Sequence, residues 1–346
     1  MHPRSLLPRS LLPRALLLAG LVAAVTRLFA AAPADPLLGR WGLALPNGGA
    51  GWLELKAQEG WVDGSILWGG GSVLPLASVT LDGPAVSATR VREIERKDAT
   101  GRVVRRQQLT ETVTARLEGG ELRGTRVVPR ANGQGFDRTE FTGRRLAPLP
   151  PRPDLAAVRF GPPVALFNGR DLSGWVAQEP RLTNAWGVAD GVLVNRPPAR
   201  ESGKPAARTA NLRTSAEFTD FRLTLEVSVP SRSNSGVYLR GLYEVQVADS
   251  HGKALDSHNM GAIYSRLTPA VAAEKPAGEW QTLELTLVDQ HATVVLNGRV
   301  IIDNQPLLGV TGGALGWDPL RPGPILLQGD HGPVSYRNLV LRPVAR

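Results

Sequence analysis

The chain has 346 residues, enough for two ordinary domains, with 40 Lys and Arg against 31 Asp and Glu, a net charge of +9. It contains no cysteine, which excludes disulfides, thiol nucleophiles, thiolate metal sites and a lipid anchor on cysteine. The basic residues are nearly all arginine and lie among carboxylates. The modest cluster at Arg90–Arg106 reads as a solvated strand face, and no basic stripe with stacking aromatics marks a nucleic-acid surface.

Residues 1–34 hold Arg4, Arg9, Arg14 and Arg27, no acidic residue, the apolar run Ala15–Val25 and the small-residue stretch Ala30–Ala34. Basic, then apolar, then small is the order of a secretory signal peptide, with cleavage expected after Ala34. The run is well short of the ~20 apolar residues a bilayer span needs, so no membrane span is expected. Removing the leader leaves 36 basic against 31 acidic residues, a net +5. The expected location is periplasmic or secreted.

The 38 glycines and 28 prolines are aperiodic and point to many turns, and no apolar stretch at helical spacing exceeds two turns. Residues 36–147 read as a smaller β-rich domain, a barrel or sandwich of unknown role. Trp52–Lys56 alternates, Ser65–Trp68 is a short strand, and Gly119-Gly120 joins Thr112–Leu117 to Leu122–Val128 as a hairpin. Its four tryptophans, Trp41, Trp52, Trp61 and Trp68, read as core and rim packing rather than a sugar platform.

The proline-dense run Leu146–Asp154 opens a linker over 148–159, followed by a second domain at 160–346. Phe221, Leu223, Leu225 and Val227 alternate with polar residues, as do Gln281, Leu283, Leu285 and Leu287. Thr293–Leu296 and Arg299–Ile302 flank Asn297-Gly298, a strong hairpin signal. With Gly236–Arg240, Tyr243–Asp249, Ile325–Gln328 and Val334–Leu341 there are strands enough for two packed sheets. The expected fold is all-β, a jelly-roll sandwich.

The densest polar constellation runs from Asn234 to Asp249. Residues two apart in a strand share a face, about 6.6–7 Å apart, so Glu244 and Gln246 point together, as do Tyr238 and Arg240. A two-residue turn at Gly241-Leu242 would send Glu244 to the opposite face. A three-residue turn, Gly241–Tyr243, would set Arg240 opposite Glu244 and Tyr238 opposite Gln246. The second version gathers all four in one cleft, and we expect it. A second candidate is Gln328-Gly329-Asp330-His331-Gly332, a tight loop able to present an imidazole. No His-x-His or His-Glu-x-x-His spacing marks a metal site, and a divalent cation stays open.

Leu166-Phe167-Asn168-Gly169-Arg170-Asp171-Leu172-Ser173-Gly174-Trp175 opens a series that continues through Trp186-Gly187-Val188, Asn234-Ser235-Gly236, Tyr243-Glu244-Val245-Gln246, Gly278-Glu279-Trp280, Val295-Leu296-Asn297-Gly298, Gly323–Gln328 and Tyr336-Arg337-Asn338. In this order, over about residues 163–344, the series resembles the 3-keto-disaccharide hydrolase family. The resemblance implies a concanavalin A-like fold and cleavage of 3-keto glycosides, by hydrolysis or by 1,2-elimination and hydration. It also implies partnership with a sugar 3-dehydrogenase. The chemistry needs a base, a group polarising the C3 oxygen and an acid for the leaving oxygen. On that reading Glu244 or His331 is the base, Arg240 (or a cation) polarises the ketone, and Asp249 or His251 assists departure. Tyr238, Gln246 and Gln328 hold sugar hydroxyls, with Asn234 beside them.

Overall fold

The computed structural model describes residues 35–198 and 208–345, so the expected signal peptide at 1–34 lies outside the described residues. Pro36–Arg346 forms one compact unit. Among the described residues the sole helical segment is the short turn Pro46–Gly48; everything else regular is strand.

The first sheet has nine antiparallel strands; its middle strand, Phe136–Arg145, pairs with Gly39–Ala44, which pairs in turn with Ala50–Gln58. Its two edges approach each other: Leu76 N–H donates to Gly64 O at 2.9 Å and Ala77 N–H to Thr89 O at 2.7 Å. The curled sheet encloses Leu37, Trp41, Leu43, Leu53, Leu55, Val113, Leu122 and Phe141, giving a barrel-like body. Gly119 and Gly120, both with positive φ, form the expected hairpin between Glu118 and Glu121. The arginine cluster is not simply solvated. Glu111, 3% exposed, receives Arg90 at 2.8 Å and Arg126 at 2.6 Å, because a carboxylate this deep requires charged donors.

The second body is a sandwich. An eight-stranded sheet built around Phe221–Ser228, Trp280–Val288 and Val334–Pro343 faces a five-stranded sheet. In order, the five are Trp175–Ala177, Leu212–Thr214, Leu326–Leu327, Asn234–Leu239 and Tyr243–Ala248. Leu223, Leu225, Val227, Leu283 and Leu285 from the larger sheet meet Leu212, Val237, Val245, Val247 and Leu327 from the smaller. Asn297-Gly298, with φ of 50° and 79°, makes the expected two-residue turn between Leu296 and Arg299. This is the all-β jelly-roll architecture that the alternation implied.

The two bodies share a core. Trp52, 2% exposed, packs with the sandwich cluster and donates Nε1–H to Leu308 O at 3.0 Å. Gly309 lies so close that a Cβ there would come within 2.3 Å of the indole, and the Arg266 guanidinium stacks 4.1 Å over the ring centroid. Trp41 fills the barrel, Trp68 is edge-on to Phe141, and Trp61 is 59% exposed on a strand edge. The proline-rich run lies along the sandwich, Pro153 O accepting from Asn304 Nδ2 at 2.8 Å.

Candidate active site

The five-stranded sheet has one apolar face in the core and one polar face turned outward. Directly paired residues of antiparallel strands point to the same side. Arg213 pairs with Leu326, Leu326 with Tyr238, and Tyr238 with Glu244, so these four form one row across the outer face. Tyr264 extends the row, since its N–H donates to Glu244 O at 3.0 Å beside the Val245–Ile263 bridge. Gly236 and Gln246 form the next pair on that face.

The turn between these strands corrects the expected register. Three residues make it, but they are Arg240–Leu242, and Leu239 pairs with Tyr243. Arg240 and Gly241 take left-handed φ of 57° and 63°, and Gly241 has no room for a Cβ against Leu315. The pairing therefore slides by two residues from that expected. An even slide keeps every side chain on its face, so Tyr238, Glu244 and Gln246 stay together. Arg240 does not join them. Its guanidinium donates to Pro319 O at 2.7 Å and to Arg321 O, and it lines other cavities.

Glu244, Tyr238, Asn234, Gln328 and His331 line one cavity of about 250 Å³, together with Asn211, Tyr264, Asp330 and two glycine pairs, Gly70-Gly71 and Gly312-Gly313. Glu244 is 3% exposed. The Tyr238 hydroxyl lies 2.9 Å from Glu244 Oε2 and 2.8 Å from Gly312 O, and its single proton serves one at a time. The other carboxylate oxygen sits over Gly236, where a Cβ would be 2.3 Å away. Burial pushes the carboxyl up to about 7, while the Tyr238 hydrogen bond and the charge of His331 pull it back.

His331 is presented by a tethered loop. Gly329 O accepts from Asn195 Nδ2 and from Thr209 Oγ1, both at 2.9 Å, and Gly329 N–H donates to Asn211 Oδ1 at 2.8 Å. A Cβ at Gly329 would meet Trp186 Nε1 and Ala210 O at 2.5 Å, which is why glycine stands there. Nδ1 of His331 bonds Asp330 Oδ1 at 2.7 Å, and that bond raises the imidazole above its ordinary value against the opposing effect of burial. Burial pulls Asp330 upward, but the bond and charge of His331 outweigh it and hold this carboxyl below the usual range. Glu244 and His331 are thus a carboxylate poised near neutrality and an imidazole biased toward its charged form, each feeling the other's charge.

The cavity also offers unused acceptors. Asn234 Oδ1 and Gln328 Oε1 are buried without a hydrogen-bond partner, as is Oε1 of Gln246, which stands on the same face but does not line the cavity. Orphan acceptors of this kind suit the hydroxyl groups of a bound sugar. Asp249 is elsewhere: its carboxylate caps the N–H of Arg232 at 2.9 Å and holds a loop. His251 is exposed and bonds Glu274 O through Nδ1 at 3.1 Å. Neither lines the cavity, so the expected leaving-group role finds no support for either. Among the described residues no cluster of three or more His, Cys, Asp or Glu side chains could hold a metal ion.

One wall comes from the first body. Gly71 O fills the space where a Gly312 Cβ would be, 2.2 Å away, and Gly313 N–H donates to Gly69 O at 3.0 Å. Ser72 Oγ is 2.9 Å from His258 Nε2, whose ring sits edge-on to Tyr264 at 4.7 Å. Nothing in the local sequence announced Gly70-Gly71, Asn211 or Tyr264 as site residues. Asp330 was visible only as a member of its loop.

Residues 162–342, just over half of the chain, match the family described as the 3-keto-alpha-glucoside-1,2-lyase-like domain. The chain belongs to that family. Its sandwich is accordingly a carbohydrate-active, glycosidase-like domain. Among solved structures, a candidate glycosyl hydrolase of Parabacteroides distasonis is 29% identical, covering 57% of this chain and 93% of that one with a TM-score of 0.41. A second from the same organism is 24% identical, covering 53% and 100% with a TM-score of 0.40. A β-glucanase of Bacillus licheniformis is 9% identical, covering 55% and 98% with a TM-score of 0.31. No curated protein sequence matches this chain.

Proposed function

We propose that the protein is an exported enzyme that cleaves 3-keto glycosides by removing the proton from C2 of the keto sugar. The observation that supports this most is Glu244, a buried carboxylate pushed up to about 7 and fixed by Tyr238 in a cavity with free amide acceptors. A ketone at C3 acidifies the C2 proton, so a base of that strength suffices at neutral pH. Glu244 takes the C2 proton and the C–H electron pair becomes the C1–C2 double bond. The C1–O pair leaves with the aglycone oxygen, which receives a proton from His331. Water then adds across the double bond: its oxygen goes to C1, His331 recovers a proton, and Glu244, its own proton exchanged with solvent, returns one to C2. The sum is hydrolysis.

Asn234 and Gln328 hold the sugar's hydroxyl and keto oxygens, and Tyr238 positions the base rather than the sugar. The role first given to Arg240 has no basis in this geometry, because its guanidinium is engaged outside the cavity. The substrate requires prior oxidation at C3, so a sugar 3-dehydrogenase is the expected supplier. The leader at residues 1–34 supports export to the periplasm or beyond. Purified Glu244→Gln and His331→Ala should each lose turnover of a 3-keto disaccharide by roughly 10²–10⁴-fold while keeping the wild-type β-sheet spectrum. Near-normal rates in both would refute the assignment.

A further inference from the structure

Beside the cavity that holds Glu244 lies another, more than twice as large at about 550 Å³. The two share a floor. Asn211, just before the strand Leu212–Thr214, lines the first, and Arg213, within that strand, lines the second. Arg213 also pairs directly with Leu326, which belongs to the first cavity. Four guanidinium groups, from Arg144, Arg213, Arg240 and Arg321, border the larger cavity with Trp317, against the carboxylates of Glu217 and Asp318. Arg144 is paired with Glu121, and Arg240 donates to backbone carbonyls. Arg213 makes one long hydrogen bond, to Thr214 O at 3.4 Å, and neither it nor Arg321 forms a salt bridge with a described residue. Gln178 Oε1, in the same wall, is buried without a hydrogen-bond partner.

An amide oxygen that lacks a hydroxyl donor therefore stands beside two guanidinium groups that lack an oxyanion. Arginine is the side chain best shaped to hold a carboxylate or sulfate, through paired N–H donors. We propose that this cavity is a second saccharide subsite, which binds an acidic, hydroxyl-bearing unit such as a uronate joined to the keto sugar at Glu244. The inference rests on the assignment of the Glu244 cavity as the reaction site, since the shared floor makes the larger cavity the place for the rest of the substrate.

Calorimetric titration of the full-length protein with D-glucuronate and with D-glucose tests the subsite without turnover. Glucuronate should bind saturably and at least roughly tenfold more tightly than glucose, the equivalent of about 1.4 kcal/mol. The preference should collapse in Arg213→Gln/Arg321→Gln, and weaken in Arg321→Gln alone, a substitution at an exposed residue that guards against misfolding. Equal binding of the two sugars, or an unchanged preference in the double variant, would overturn the inference. Inorganic sulfate binding as tightly as glucuronate would also overturn it, by reducing the cavity to a plain anion site. Glu244→Gln serves as the control. If that variant keeps turnover, the reaction assignment fails, whereas the glucuronate result in the same variant still decides the subsite.

Discussion

The hydroxyl of Tyr238 and the Oε2 of Glu244 are directly cross-strand neighbours, 2.9 Å apart, and the hydrogen bond between them favours the ionised carboxylate against the burial that opposes it. Removing the hydroxyl removes the larger of the two pulls that hold Glu244 down at about 7. Tyr238→Phe should therefore raise the carboxyl further. The acidic limb of kcat/KM on a 3-keto glycoside should move to higher pH, with a lower rate at neutrality. A limb that stays in place would separate Tyr238 from the base.

In the wild-type protein the same profile should be bell-shaped. Activity rises as Glu244 ionises, near pH 7, and falls again as His331, raised by Asp330, loses its proton. His331→Ala should lose the alkaline limb along with most of the rate. A profile of the wild type that is flat from pH 5 to 9 would contradict the pairing.

Glu244 also makes a stability prediction of definite sign. Its folded value, about 7, lies above the ordinary 4.5, so between those values the folded state binds more protons than the unfolded one. The carboxyl's contribution is best below pH 4.5 and worsens as pH rises toward 7. Glu244→Gln should consequently be more stable than wild type at pH 8, by on the order of a few kcal/mol, and nearly equal at pH 4. Urea unfolding at the two pH values reads this directly. A variant less stable at pH 8 would mean that the buried charge is better compensated than the geometry implies.

Trp52 is the anchor between the two bodies, buried against Gly309 and roofed by Arg266. Trp52→Ala should cost about 3–5 kcal/mol of stability. It should also lower turnover, because the strand that follows Trp52 leads to the Gly70-Gly71 wall of the cavity. Full activity in a folded Trp52→Ala protein would show that the wall stands without its anchor.

Much of the fold was legible in local pattern. The alternation of Phe221–Val227 and Leu283–Leu287 placed two faces correctly, and Asn297-Gly298 marked a turn whose left-handed φ values explain the residues chosen. Part of the candidate site was legible too, because Glu244 and Tyr238 share a face under any even slide of register. The destination of Arg240 was not. It depends on the carbonyls of Pro319 and Arg321, some 80 residues away in the chain, which capture the guanidinium at the hairpin tip. Asn211, Tyr264 and Gly70-Gly71 enter the cavity through pairings and packing between distant segments, for which single-sequence periodicity carries no signal. Asp249 looked available only because its capping of the Arg232 N–H is a tertiary contact.

Proton removal from C2 is the step on which the account depends, and deuterium labelling measures it. A 3-keto disaccharide incubated with the wild-type protein in deuterium oxide should release 3-keto-glucose carrying solvent deuterium at C2 from the earliest time points, well ahead of an enzyme-free control, and Glu244→Gln should do neither. Release of a keto sugar that retains its original C2 proton, as direct displacement at C1 would give, would contradict Glu244 as the C2 base.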